Sequence, residues 1–254
     1  MRQVSFSMVR SVLLGSLASC AVATLALAAD LPSQDHAPVL KGPAPVADNL
    51  GFFMRLGVTY GINTSQSTLY AEPAPGAPLA ELPGVGAKID NVLTLGAQFG
   101  YFFTNNLSAE VALGLPLDAK VTTTGAGGGL LPPLGTRLAT VMPAIVPLTV
   151  DYHFTQLGAF QPYVGIGIAP LFSFRQKDGF DTGVTVDPTV GLVLQAGTDV
   201  MIDRHWGVTL DVKKVFAYGK SHGTGVAGVP VPIASEQHTH YQPWLLTTGV
   251  VYRF

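Results

Sequence analysis

Eight ionisable residues lie within otherwise apolar, alternating stretches of the chain: Arg55, Glu110, Asp151, His153, Asp199, Asp211, Lys213 and Arg253. Such residues could do acid–base chemistry, or they could neutralise one another. Asp151 and His153 invite a hydrolase reading, but their i,i+2 spacing sets them side by side on one strand face with no nucleophile opposite. Glu236, His238 and His240 repeat that spacing with metal-ligating residue types, and an ordinary polar loop accounts for them equally well. No catalytic residue, metal site or cofactor is therefore expected. Neutralisation remains: four acids against three bases and one histidine are nearly balanced, and buried charges must be paired.

The elements that would hold these residues are strands. From Trp244 onward the chain alternates strictly, with Trp244, Leu246, Thr248, Val250, Tyr252 and Phe254 on one face. Seven earlier segments do the same, around Phe52–Tyr60, Leu93–Phe103, Leu107–Leu115, Val146–Phe154, Val164–Phe172, Val190–Ala196 and Trp206–Val212. Apolar outward positions facing small or polar inward ones are the pattern of a closed sheet in lipid, where every backbone polar group needs an internal partner. Three short turns (104–106, 155–160, 203–205) alternate with four long Gly- and Pro-rich connections (63–88, 117–140, 175–188, 219–241). The expected fold is all-β: an eight-stranded antiparallel transmembrane β-barrel with short periplasmic turns and four long extracellular loops.

Composition agrees with that fold. Of 254 residues, 48% are hydrophobic and only 12% charged, and the 29 Gly and 19 Pro suit short strands with irregular connections. A usual soluble domain has about 25% charged residues. The N-terminus supplies the compartment: Arg2 and Arg10 precede an apolar run from Val12 to Leu27, and Ala26-Leu27-Ala28 is a small-x-small cleavage site. Residues 1–28 read as a secretory signal peptide, 29–50 as a flexible periplasmic leader and 51–254 as the barrel. A competing lipoprotein box, Leu17-Ala18-Ser19-Cys20, is followed by an apolar stretch where a lipidated Cys normally precedes a polar tether. Loss of Arg2 and Arg10 would leave 12 basic against 16 acidic residues, so no nucleic-acid partner is expected.

Several segments taken together resemble the OmpW family of small outer-membrane barrels. They are GYFFTNNL from Gly100, DYHF from Asp151, FQPYVGIG from Phe160, QAGTDVMIDRHW from Gln195, and Pro243-Trp244 through Tyr252-Arg253-Phe254. The long loops do not share in the likeness. The resemblance implies an eight-stranded barrel with a narrow apolar passage, associated with movement of small hydrophobic compounds.

Depth along the strands divides the interior. Arg55, Glu110, Asp151, His153, Asp199 and Arg253 gather near the periplasmic end as an ionic floor, and Asp211 and Lys213 lie nearer mid-height. The outer half is an apolar cup, with a ligand passage lined by Ile145, Ala169, Leu171, Val193, Val215 and Leu245. A cup above a sealed floor leaves only a sideways exit. Pro143, Pro147 and Pro170 lack the N–H that a ladder needs and mark the expected lateral opening. Lys214 breaks the alternation, which predicts a bulge or a snorkelling contact. Tyr252 and Phe254 are the expected signal to the barrel-assembly machinery. Expected partners are outer-membrane lipids, lipopolysaccharide and small apolar ligands. The reading is a conduit or receptor for small hydrophobic molecules, and the alternative is a non-transporting surface barrel that stabilises the envelope or binds a partner through its loops.

Overall fold

The computed structural model describes residues 50–73, 76–84, 86–124, 135–226 and 234–254. The expected signal peptide, Cys20 and the leader up to residue 49 lie outside them. Eight strands form the barrel: β1 (Gly51–Ile62), β2 (Val92–Phe102), β3 (Leu107–Gly114), β4 (Leu148–His153), β5 (Phe160–Asp178), β6 (Thr189–Met201), β7 (Trp206–Gly223) and β8 (Trp244–Arg253). Each pairs antiparallel with the next, and β8 pairs back onto β1 through the run from Phe53↔Arg253 to Ile62↔Trp244. The ring is closed, so each of the eight strands has a partner on both sides.

The alternation decides which side chains face lipid. Leu93, Leu95, Ile166, Val190 and Leu210 are more than half exposed, whereas the inward Arg55, Asp151, His153, Asp199 and Asp211 are 0–1% exposed. Aromatic pairs such as Phe52 with Tyr101, Tyr152 with Phe154 and Tyr252 with Phe254 meet edge to face near the periplasmic rim. The short turns are closed locally: in the turn between β6 and β7, Asp203 Oδ1 accepts from the backbone N–H of His205 (2.7 Å) and Trp206 (2.8 Å). Those two donors hold the Asp203 carboxyl below the usual carboxylate range.

The described parts of the long connections include strands where loops are expected. Gln66–Ala71 pairs with Ser235–Tyr241, which pairs with the outer part of β7. Ala119–Thr124 pairs with Arg137–Ile145, which runs along the outer half of β5. These extensions enclose a second apolar cluster of Ala87, Val121, Leu138 and Val141, with Ile89, Phe180 and Val186 against it. Their Thr- and Val-containing stretches are short and lie between glycines and prolines, which is why sequence alone reads them as loops.

The wall between β3 and β4 is interrupted. Their ladder ends at Val111↔Leu148 and a bond from Ala112 N–H to Pro147 O (2.9 Å). Pairing across this seam resumes only at Ala119↔Val141. Between these points each lip is bonded away from the other: Leu115 N–H donates to Leu95 O on β2, and Val146 N–H to Pro170 O on β5, both at 3.0 Å. Pro116 and Pro147 have no N–H to offer, so the seam loses donors where the lips part.

Candidate functional site

All eight strands contribute side chains to a buried polar plug. Arg55 on β1 is its centre. Its Nε and Nη2 donate to the two oxygens of Asp199 at 3.0 and 2.8 Å, and Nη1 pairs with Glu110 Oε2. Phe53 and Tyr163 stack on the guanidinium, each ring centre 4.5 Å from Cζ. Those rings fit because inward glycines lie beneath them. A Cβ on Gly100 would strike the Phe53 ring, and one on Gly197 would meet the Tyr163 ring at 2.5 Å. The narrow lumen thus accommodates one arginine between two aromatics.

Lys213 extends the plug, with Nζ 2.6 Å from Asp211 Oδ1 and 3.1 Å from Glu110 Oε1. Asp211 also accepts from Tyr163 Oη (3.0 Å), Gln195 Nε2 (2.8 Å) and Gln98 Nε2 (3.3 Å). Thr149 Oγ1 donates to Gln195 Oε1 at 2.8 Å, and Arg253 Nη2 donates to Gln161 Oε1 at 2.7 Å and lies 3.5 Å from Asp199. Paired, multiply hydrogen-bonded charges of this kind can be held out of water without leaving an unpaired ion.

The plug corrects the expected floor in two places. Asp151 is fully buried but pairs with no base: Oδ2 lies 3.2 Å from Thr149 Oγ1, whose one proton it shares with Gln195, and Oδ1 has no hydrogen-bond partner. His153 does not meet Asp151 either. Its Nε2 lies 3.0 Å from Ser108 Oγ, and its ring packs on Phe102 and Tyr163 at 4.6 and 4.8 Å. Lys213, Asp211 and the neutral Gln98, Gln195, Gln161 and Tyr163 take the places expected of them. The signal for these was their inward parity: Gln98 and Gln195 share a face with charged neighbours, yet neither is ionisable.

A stability difference follows. Asp151→Asn removes a buried carboxyl that pairs with no base and should leave the urea midpoint of the refolded barrel unchanged or higher. Asp199→Asn breaks the bidentate pair with Arg55 and should cost about 3–5 kcal/mol. Equal losses in the two variants would contradict this assignment.

Above the plug, the passage residues separate into two groups. Ala169, Leu171, Val193 and Val215 pack together with Ile145, Ala217, Tyr241 and Leu245 against them. Ala169, Val193 and Val215 are fully buried in this cluster, so this part of the expected cup is filled by its own side chains. The remaining space lies on the other side of the lumen. A lower cavity of about 140 Å³ is bounded by Thr59, Val92, Thr94, Gln98, Lys213, Leu245 and Thr247, and by both lips of the seam, Ala112–Leu117 and Pro143–Ile145 with Pro147. An outer cavity of about 110 Å³ is bounded by Leu171, Ile145, Val141, Leu138, Tyr241 and the polar Asp181, Asp187 and His222. Asn63, Pro143, Ala144, Ile145 and Pro243 border both.

Pro143 and Pro147 thus lie at the seam. Pro170 does not: it is paired with Val190 in the continuous β5–β6 ladder and borders neither cavity. Burial pushes the Asp181 carboxyl of the outer cavity up to about 6. Glu236 Oε1 pairs with His238 Nε2 (2.6 Å) and with Lys220 Nζ (2.8 Å), and those bonds hold Glu236 at about 2. Among the described residues no group of three His, Cys, Asp or Glu could hold a metal ion. Lys214 forms no bulge. It keeps register with Leu194 and Trp244, and its ammonium bonds Gln242 O (2.5 Å) above the Trp244 ring.

The OmpW family model matches residues 76–254. The chain belongs to the OmpW family. It is 38% identical over 175 residues to the outer-membrane protein y4mB of Sinorhizobium fredii, covering 68% of this chain and 71% of that one. It is 29% identical over 147 residues to the dibenzothiophene metabolism operon protein PahQ of Pseudomonas aeruginosa, covering 58% and 66%. The crystal structure of OprG from Pseudomonas aeruginosa shares the fold, with a TM-score of 0.70 at 21% identity over 81% of this chain and 96% of that one. This OmpW-family protein is therefore an outer-membrane β-barrel. Tyr252 and Phe254 lie on its outward face, with Phe254 N–H bonded to Phe52 O at 3.0 Å.

Proposed function

We propose that this barrel is a conduit for small hydrophobic molecules, which pass from the outer cavity to the lower one and leave sideways into the membrane. The observation that carries this reading is the lower cavity, which is bounded by both lips of the unpaired seam and lies above a plug joined across all eight strands. A hydrophobic solute gains nothing from crossing the charged plug, whereas the seam presents Leu113, Leu115, Pro116 and Leu117 to it. PahQ, a relative named for a dibenzothiophene metabolism operon, supports an apolar cargo. The second reading, a non-transporting surface barrel, draws on the packed wall of Ala169, Val193 and Val215 and on the separate apolar core of the outer extensions.

Ile145 separates the two readings because it borders both cavities. Ile145→Trp should fill the junction and lower uptake of an apolar tracer into cells by about an order of magnitude, as a pocket of this size cannot hold both groups. The surface-barrel reading predicts wild-type uptake with unchanged surface display.

A further inference from the structure

The lower cavity is not apolar throughout. Its mouth is Leu113, Leu115 and Leu117, but its base is Gln98, Lys213 and the Thr59–Thr247 pair, whose hydroxyls lie 2.8 Å apart. The Gln98 amide has a fixed orientation. Its Nε2 lies 3.3 Å from Asp211 Oδ1, and a carboxylate oxygen facing it must accept, so the nitrogen belongs there and the oxygen elsewhere. That oxygen, buried, has no hydrogen-bond partner. Lys213 donates to Asp211 and Glu110, which uses two of the three N–H bonds of its ammonium. Gln98, with one unmet acceptor, and Lys213, with one further N–H, therefore both border the base of a cavity whose other end is hydrocarbon.

Resting on the conduit reading, we propose that this cavity selects small apolar molecules bearing a single hydroxyl group. The hydroxyl donates to Gln98 Oε1 and accepts from Lys213 Nζ, and the hydrocarbon part extends to the seam between β3 and β4. A hydroxyl is the simplest group that is donor and acceptor at one oxygen. A hydrocarbon leaves both polar groups unmet, which costs affinity. A carboxylate has no proton for Gln98 and sits in the field of Asp211 and Glu110; an ammonium cannot accept from Lys213 and is repelled by it.

The test uses the full barrel in lipid nanodiscs with labelled Gln side-chain amides and Leu methyls. Octan-1-ol, octane and octanoate are titrated at equal mole fraction in the lipid. Octan-1-ol should shift the Gln98 amide and the Leu115 and Leu245 methyls together, with an apparent affinity about tenfold above that of octane, the worth of one satisfied polar pair. Octanoate should bind no better than octane. In Gln98→Leu the preference for alcohol over alkane should fall about tenfold, and in Ala112→Leu, which narrows the cavity, both probes should weaken. If Gln98→Leu does not fold, the amide shift in the unaltered barrel decides. Methyl shifts of equal strength for octanol and octane, with the Gln98 amide unmoved, would overturn the hydroxyl site and leave the conduit standing. No methyl shift with any probe would overturn both.

Discussion

Arg55→Ala should convert a closed barrel into an ion-conducting one. The guanidinium bonds both oxygens of Asp199, and it shares Glu110 with Lys213. Its removal leaves buried carboxylates short of a partner, at a cost of about 3–5 kcal/mol in a dry site. Water entry relieves that cost, because the Phe53 and Tyr163 rings lose the group they enclose. Single-channel recordings in planar bilayers should show conductance above that of the parent barrel, and the urea midpoint should fall. Arg55→Lys should not restore the parent behaviour, since an ammonium makes neither the bidentate pair nor the planar stack. Unchanged conductance and stability in Arg55→Ala would show that the plug does not depend on this residue.

Gly114→Trp should have the converse effect. Gly114 ends β3 at the lip of the seam and borders the lower cavity. A Cβ there would meet only Thr94 Cγ2, at 3.5 Å, an ordinary contact. The strand can therefore carry a side chain at this point without moving, and an indole would occupy the gap. Uptake of an apolar tracer should fall by about an order of magnitude. Conductance and the unfolding midpoint should stay at parent values, because the plug lies below the substitution and the β3–β4 ladder is intact at Val111↔Leu148.

Much of this is legible in the sequence, and the reason is the two-residue period. Parity alone puts Arg55, Glu110, Asp199 and Arg253 inside and Leu93, Ile166 and Trp206 outside, because one slip in register would exchange the faces. Partner choice is a different matter. Which acid Arg55 meets depends on strand stagger around the ring, and the stagger brings Asp199 and Glu110 to it and leaves Asp151 aside. The two lip prolines were legible from the missing donor. Pro170 has the same chemistry, yet it sits in a continuous ladder and its carbonyl takes the Val146 N–H. The packed wall of Ala169, Val193 and Val215 was hidden too, since a sequence names the residues that face a lumen and not the volume left between them.

The central claim is that ions and apolar molecules face separate barriers, the plug for one and the seam for the other. Vesicles carrying the parent, Arg55→Ala or Gly114→Trp barrel, assayed side by side for ion flux and for uptake of an apolar tracer, test it most directly. The predicted result is dissociation: Arg55→Ala raises ion flux and leaves apolar uptake near the parent value, and Gly114→Trp lowers apolar uptake and leaves ion flux unchanged. Parallel movement of both readouts in both variants would mean a single straight pore and would contradict the lateral route.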